Sequence, residues 1–243
     1  MDDERPIKIC LYGSSGVGCN QLSHVAIGQK FKEDSGAVSL WSCGEKTFII
    51  NKKEYIVNIW NGPGQEKYKE MFKHFVKNAN IVIFVYDITY RYSFDELNEK
   101  INIAKEILGN NFIGAIVGNK KDLFEHEVVS EDEAREFAKE VGYKFALVSA
   151  KADQISFINL LEELIEVFIK NYEIKQKGMK NKIIEAKKKK IEKDNKKKIE
   201  EDKKKKLEED MKKKIEEEKK RMNERKKSLT KNYKLTLLKY FSK

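Results

Sequence analysis

Proline is almost missing from this 243-residue sequence; there are only Pro6 and Pro63. Helices and strands can therefore run far without a built-in breaker. Cysteine is nearly as scarce. Cys10, Cys19 and Cys43 share no paired spacing, and His24, His74 and His126 are scattered. A disulfide frame and a zinc site are both excluded as organising features, and a reducing, cytoplasmic setting is expected. No apolar run is long enough to span a bilayer. The opening MDDERP is neither a secretory signal nor a transit peptide. After Gly178 the sequence has no glycine, and after Cys43 no cysteine.

What is present is charge, unevenly spread. The formal net charge of +10 hides two parts. Residues 1–170 carry 21 basic and 26 acidic side chains, a net of −5; residues 171–243 carry 29 and 14, a net of +15. A packed core cannot place 43 charged side chains among 73 residues. The core is thus confined to about the first 170 residues, enough for one domain.

Those 170 residues alternate strand and helix. Residues 7–12 form a short apolar run stopping at Gly13. Residues 46–50 and 54–60 read as a hairpin turning at Asn51-Lys52-Lys53. Ile81-Val82-Ile83-Phe84-Val85-Tyr86 marks a strand buried on both faces, and 113–117 and 144–148 look similar. Helical periods fall at about 18–30, 66–78, 92–108, 130–141 and 154–171. Ser130 and Glu133 form a capping box, and Leu160, Leu161, Leu164, Ile165 and Phe168 share one helix face. This order predicts an α/β fold with a mostly parallel central sheet flanked by helices. Ligands of such sheets bind at the C-terminal strand ends.

The loop after the first strand reads Gly13-Ser14-Ser15-Gly16-Val17-Gly18-Cys19-Asn20. Its glycine spacing is that of a phosphate-binding loop, G-x-x-x-x-G-K-[ST], whose backbone N–H groups cradle phosphates. Cys19 stands where the lysine would reach the terminal phosphates, and Asn20 where a hydroxyl would ligate Mg²⁺. Further on, Asn119-Lys120-Lys121-Asp122 matches N-K-x-D. Ser149-Ala150-Lys151 matches an S-A-K loop, and Asn61-Gly62-Pro63-Gly64-Gln65-Glu66 follows a strand. In this order the sets resemble the Ras-like small GTPases. Ile59-Trp60, Gly64-Gln65-Glu66, Val85-Tyr86-Asp87-Ile88-Thr89 and Ser93-Phe94 look most like the Rab branch, over about residues 5–172.

The resemblance implies a P-loop GTPase fold and GTP or GDP as ligand. Asp122 would accept two hydrogen bonds from guanine, and Asn119 would meet the base and tie loops together. Lys120 would stack over the ring. Ala150 N–H would donate to guanine O6, with Ser149 and Lys151 holding that loop. Gly64 N–H would contact the γ-phosphate, and Gln65 would orient the attacking water.

The phosphate and metal half is depleted. Losing the lysine removes a charge-assisted bond worth about 1.5–3 kcal/mol. Asn61 replaces the Asp of D-x-x-G, neutralising the carboxylate near Mg²⁺. Aligning back from Trp60 puts Val38-Ser39 where the family's metal-binding Thr lies; Ser39 substitutes only with a one-residue shift. Asn20 and Ser39 are thus weak ligands for a cation that wants charged oxygens, and slow hydrolysis is expected. At a helix N-terminus the Cys19 thiol is expected to have a lowered pKa, making it a candidate redox or modification site. The alternative is a drifted position in a degenerating loop.

From about Lys188 the chain repeats every eight residues, with Ile191, Ile199, Leu207 and Ile215 marking the period. Eight residues leave a drift of about 80° per repeat, so the apolar positions spiral and make no seam. Glu192–Lys196, Glu200–Lys204, Glu208–Lys212 and similar i,i+4 pairs each add about 0.2–0.5 kcal/mol to a helix. A solvated single helix is expected; a disordered tail and weak coiled-coil pairing are the alternatives. Circular dichroism of residues 175–230 separates them, since little helix at low concentration contradicts the rod. Leu229, Tyr233, Leu237 and Phe241 then recur at four-residue steps among lysines. Such a segment suits an anionic membrane, a partner groove or the domain itself. Rab-type prenyl cysteines are missing, so no prenyl anchor is expected and membrane contact should be weak. Nucleic acid is disfavoured because 173–232 lacks aromatics and mixes both charges.

The resulting expectation has three parts: a Rab-like GTPase domain over 1–172, a Lys/Glu-rich helix over 173–230 and a basic amphipathic end over 231–243. The function expected is a GTP/GDP switch in vesicle trafficking or signalling, acting on protein effectors or regulators. A pseudo-GTPase interaction module on a helical spacer is the alternative.

Overall fold

The computed structural model describes residues 5–32, 41–64 and 68–241. Contacts divide the chain into two units, Met1–Ile174 and Lys175–Lys243. The first unit is a six-stranded sheet: β1 (Ile7–Gly13), β2 (Ser42–Ile50), β3 (Lys53–Asn61), β4 (Ile81–Asp87), β5 (Ile113–Asn119) and β6 (Lys144–Leu147). The strand order is β2-β3-β1-β4-β5-β6. Only the β2–β3 pair is antiparallel.

The hairpin is tighter than the sequence suggests. Asn51 and Lys52 alone make the turn, with φ of 51° and 64°. Two successive positive φ values are what a two-residue turn between twisted strands demands. Lys53 consequently joins β3, paired with Ile50.

Side chains alternate between the two faces of the sheet, as strand pleating requires. Ile9 and Leu11 of β1, Ile83 and Val85 of β4 and Val117 of β5 pack on one face. Their cover is α1 (Cys19–Ala26) and the start of α6 (Gln154–Phe241), through Leu22, Phe157, Leu161 and Leu164. Cys10, Tyr12, Phe84, Tyr86 and Ile116 pack on the other. They meet α2 (Lys69–Val76), α4 (Leu97–Leu108) and α5 (Glu131–Val141) through Phe72, Leu97, Ile101 and Ala134. Every residue of β4 is buried, as its unbroken apolar run predicts.

Two helical segments depart from the periodicity, and a third forms its cap only in part. α1 stops at Ala26 because Gly28, at φ +82°, turns the chain out of the helix. The 92–108 segment divides into α3 (Arg91–Asp95) and α4, although Lys100 N still donates to Glu96 O at 3.1 Å across the break. At α5 half of the capping box forms. Glu133 N donates to Ser130 Oγ at 3.2 Å, while the Glu133 carboxylate pairs with Arg91 at 2.7 Å.

In the second unit α6 continues to Phe241. Ile191, Ile199, Leu207 and Ile215 are each more than half exposed, consistent with apolar positions that never gather into a stripe. Glu185–Lys189, at 3.0 Å, is an ion pair with Glu first. Leu229 is exposed; the side chains of Tyr233, Leu237, Leu238, Tyr240 and Phe241 lie outside those described. No described helix is long and apolar enough to cross a membrane.

Candidate functional site

The sheet places its chemistry at one edge. In register, Gly13 of β1 lies beside Val85 and Asp87 of β4 beside Asn119 of β5. The connections that follow β1 and β4 leave toward opposite edges of the sheet, which opens a crevice at the strand ends. A cavity of about 520 Å³ fills this crevice.

Most of the residues singled out from sequence line it. Gly13, Ser14, Ser15, Gly16, Gly18, Cys19, Asn20, Gly64, Asn119, Lys120, Asp122, Ala150 and Lys151 all do. Val17 and Ser149 lie behind the wall, fully buried. Ser39 and Gln65 lie outside the described residues.

One end of the cavity is a hydrogen-bonded lattice. Asn119 is buried and joins two loops: its Nδ2 donates to Val17 O at 2.9 Å, and its Oδ1 accepts from Ala150 N at 3.2 Å. The Ala150 N–H that the resemblance assigns to guanine O6 is thus engaged by Asn119. Ser149 Oγ donates to Asp122 Oδ1 at 2.5 Å and accepts from Lys151 N and Ala152 N at 3.2 and 2.9 Å. That leaves the second oxygen of the exposed Asp122 as an acceptor at the cavity wall. Lys120 sits at φ +66°, with Nζ 2.5 Å from Asp87 Oδ2. Asp87 is itself held by Thr89 N and Oγ1 at 2.9 and 2.8 Å.

The other end is a close backbone cradle. Gly18 sits at φ +99°, and a Cβ there would fall 2.3 Å from Asn119 Nδ2. A Cβ at Gly64 would fall 2.4 Å from the Ser14 carbonyl carbon. Both positions need glycine: Gly18 closes the glycine-rich turn that leads from β1 into α1, and Gly64 packs against that turn. The cradle therefore fits a phosphate chain.

The metal donors do not fit as well. Asn61 is fully buried and neutral. Its Nδ2 donates to Asn20 Oδ1 at 3.2 Å, and Ser42 Oγ donates to its Oδ1 at 2.6 Å. The one oxygen Asn20 could offer a cation is engaged by a neighbouring amide. Among the described residues no group of three His, Cys, Asp or Glu side chains converges. A hard divalent cation prefers charged oxygens, and among the described residues lining this end there is none.

Cys19 corrects an expectation. Its thiol is pushed up to about 12, not lowered. Enclosure of the sulfur against the loop dominates, and the Lys100 charge and the α1 N-terminal backbone recover only part of it. The sulfur would lie 3.3 Å from a Cβ at Gly13. The half-buried Cys19 thiol on the cavity wall is therefore not activated as a nucleophile. Maleimide is expected to label exposed Cys43 first, with Cys43→Ser removing the fast phase. A fast phase surviving in Cys43→Ser and lost in Cys19→Ser contradicts this.

Several wall residues carry no motif in the sequence: Gln21, Phe31, Lys32 and Leu123. Lys151 lies over the Phe31 ring at 6.0 Å. An aromatic three residues past a helix-ending glycine is the only local hint of Phe31. Gln21 clasps Lys32, its Nε2 donating to Lys32 O at 2.7 Å and its Oε1 accepting from Lys32 N at 3.1 Å.

A sheet of this order, with a glycine cradle after β1 and an Asn-Lys-x-Asp set after β5, defines a P-loop nucleotide-binding fold. Residues 8–170 match the model of the Ras family. The Ras-related protein Rab-2B of Dictyostelium discoideum is 30% identical over 170 residues, covering 70% of this chain and 84% of that protein. Rab11C of Nicotiana tabacum is 30% identical over 163 residues, covering 66% and 73%. Human Rab-4A is 32% identical over 143 residues, covering 59% and 66%. The chain belongs to the Ras family of small GTPases and is Rab-like within it.

Proposed function

We propose that this protein is an atypical Rab-like switch that binds guanine nucleotide mainly through the base lattice and the loop backbone. It depends little on Mg²⁺ and hydrolyses GTP slowly. The observation that carries this reading is the contrast between the two cavity ends. Asn119, Ser149, Asp122 and Ala150 form a connected set at one, whereas Asn20 and Asn61 bond each other at the other. Gly13, Ser14, Ser15, Gly16, Val17, Gly18 and Gly64 supply the phosphate cradle. Lys120 and Lys151 complete the base end. Catalysis of phosphoryl transfer rests on positioning plus charge neutralisation. Gln65 supplies part of the first, and little in the loop supplies the second.

The domain over 1–172 carries this activity, the helix over 173–230 is a spacer, and 231–243 provides a weak membrane contact. Effectors or regulators read the switch regions, in vesicle trafficking or signalling. A second reading, a nucleotide-free interaction module on a spacer, is favoured by the same Asn20–Asn61 bond. Calorimetric titration with GDP, GTP and ADP separates them. GDP and GTP binding with no ADP binding, and loss of the selectivity in Asp122→Ala, is expected. Absence of GDP and GTP binding supports the second reading.

A further inference from the structure

The phosphate loop has lost its lysine at position 19, yet a lysine is buried beside it. Lys100, on α4, is the one buried lysine or arginine among the described residues. Its side chain is 7% exposed, and its Nζ lies 3.2 Å from Glu96 Oε2. The same Glu96 oxygen accepts a hydrogen bond from Ser14 Oγ, in the loop. Lys100 Nζ also sits 5.2 Å from the centre of the Tyr12 ring, one residue before Gly13. Residues 12–14 thus form a thin wall, with this ammonium on one side and the cavity on the other.

Burying an ammonium is costly unless it is paired. A helix face of Leu97, Ile101 and Ala104 packed beside Tyr12 has no packing need for one. Glu96 offsets that cost here, and burial alone would raise its carboxyl. The Ser14 hydroxyl, Tyr92 and Lys100 together hold it below the usual range. The field of Lys100 reaches the Cys19 thiol as well. Among the described residues three cations line the cavity itself: Lys120 pairs with Asp87, Lys151 lies over Phe31, and Lys32 stands on the segment clasped by Gln21.

We propose that Lys100 is the relocated cation of the phosphate site, parked on Glu96 until the terminal phosphate of a nucleoside triphosphate competes for it. This rests on the nucleotide-binding reading above. A phosphate bearing more charge than the Glu96 carboxylate draws the ammonium, and Ser14, bonded to Glu96, reports the exchange to the loop.

The test is calorimetric titration of the full chain with GTP and GMP, each in EDTA. Lys100→Met is expected to weaken GTP by about 10-fold or more while leaving GMP nearly unchanged. Glu96→Gln, which frees the ammonium, is expected to tighten GTP. Cys19→Lys is expected to restore GTP binding to Lys100→Met. A purely structural ion pair behaves differently: Glu96→Gln and Lys100→Met then weaken both nucleotides in parallel and lower the melting temperature alike. That result overturns the proposal, as does an unchanged GTP-to-GMP ratio in Lys100→Met. If Lys100→Met fails to fold, the sign of the Glu96→Gln effect decides. Wild type that binds neither nucleotide overturns the nucleotide-binding reading itself, and the relocated cation with it.

Discussion

Asn119→Ala is expected to abolish measurable guanine-nucleotide binding and to lower the melting temperature of the domain by about 5–15 °C. The side chain is 2% exposed and holds two loops that arrive from opposite ends of the sequence. Truncation leaves Val17 O and Ala150 N buried without their partner. Each orphaned group costs about 1–3 kcal/mol, together about 2–6 kcal/mol. The loop before α1 and the loop after β6 also lose their common anchor, so the loss of affinity exceeds that of any single contact to the base. Thermal unfolding and titration with GDP check both effects. Asn119→Asp, which keeps the acceptor for Ala150 but removes the donor to Val17, is expected to fall between. An alanine variant with wild-type melting and affinity would refute the lattice.

The second large effect runs in the opposite direction. Asn20→Ser/Asn61→Asp is expected to make nucleotide binding strongly dependent on Mg²⁺. Asn61 has no exposed surface, so a carboxylate there is a buried charge. Ser42 Oγ can still donate to it, but one neutral hydrogen bond does not balance the charge, and the variant without metal is destabilised by about 3–5 kcal/mol. A bound divalent cation supplies the missing opposite charge, and the serine hydroxyl introduced in place of Asn20 supplies an oxygen no longer occupied by an amide. Affinity for GDP in Mg²⁺ over EDTA is expected to rise by about 100-fold or more, equivalent to about 3 kcal/mol. Equal affinities in the two buffers contradict the assignment of these positions as the metal lesion.

Much of this is legible in the sequence, for a definable reason. Motifs that act within a single turn, such as 13–20, 119–122 and 149–151, carry their geometry locally, and all three converge at the strand ends. The unbroken apolar run of β4 marks its central place in the sheet. What stays hidden depends on distant neighbours. The Ser14–Glu96 bond spans 82 residues, and nothing around Lys100 marks it as buried beneath the loop. The sign of the Cys19 shift runs against the sequence expectation because a helix N-terminus is visible in sequence and the enclosure of the sulfur is not. The hairpin turn loses one residue, Lys53, because pairing across the strands, not local composition, sets where a turn closes. In α6 the change from buried Leu164 and Ile165 to exposed Ile183 and Ile191 follows the sequence directly, since the apolar stripe ends where the charged repeat begins.

The central claim is that the base lattice and loop backbone hold the nucleotide while the metal end contributes little. The most direct measurement is the dissociation constant of GDP for the wild-type full chain, once in Mg²⁺ and once in EDTA. The account predicts two values within about 3-fold of each other, a difference of under about 1 kcal/mol. A value about 100-fold weaker in EDTA would contradict it, because Asn20 and Asn61 would then be part of a working metal site.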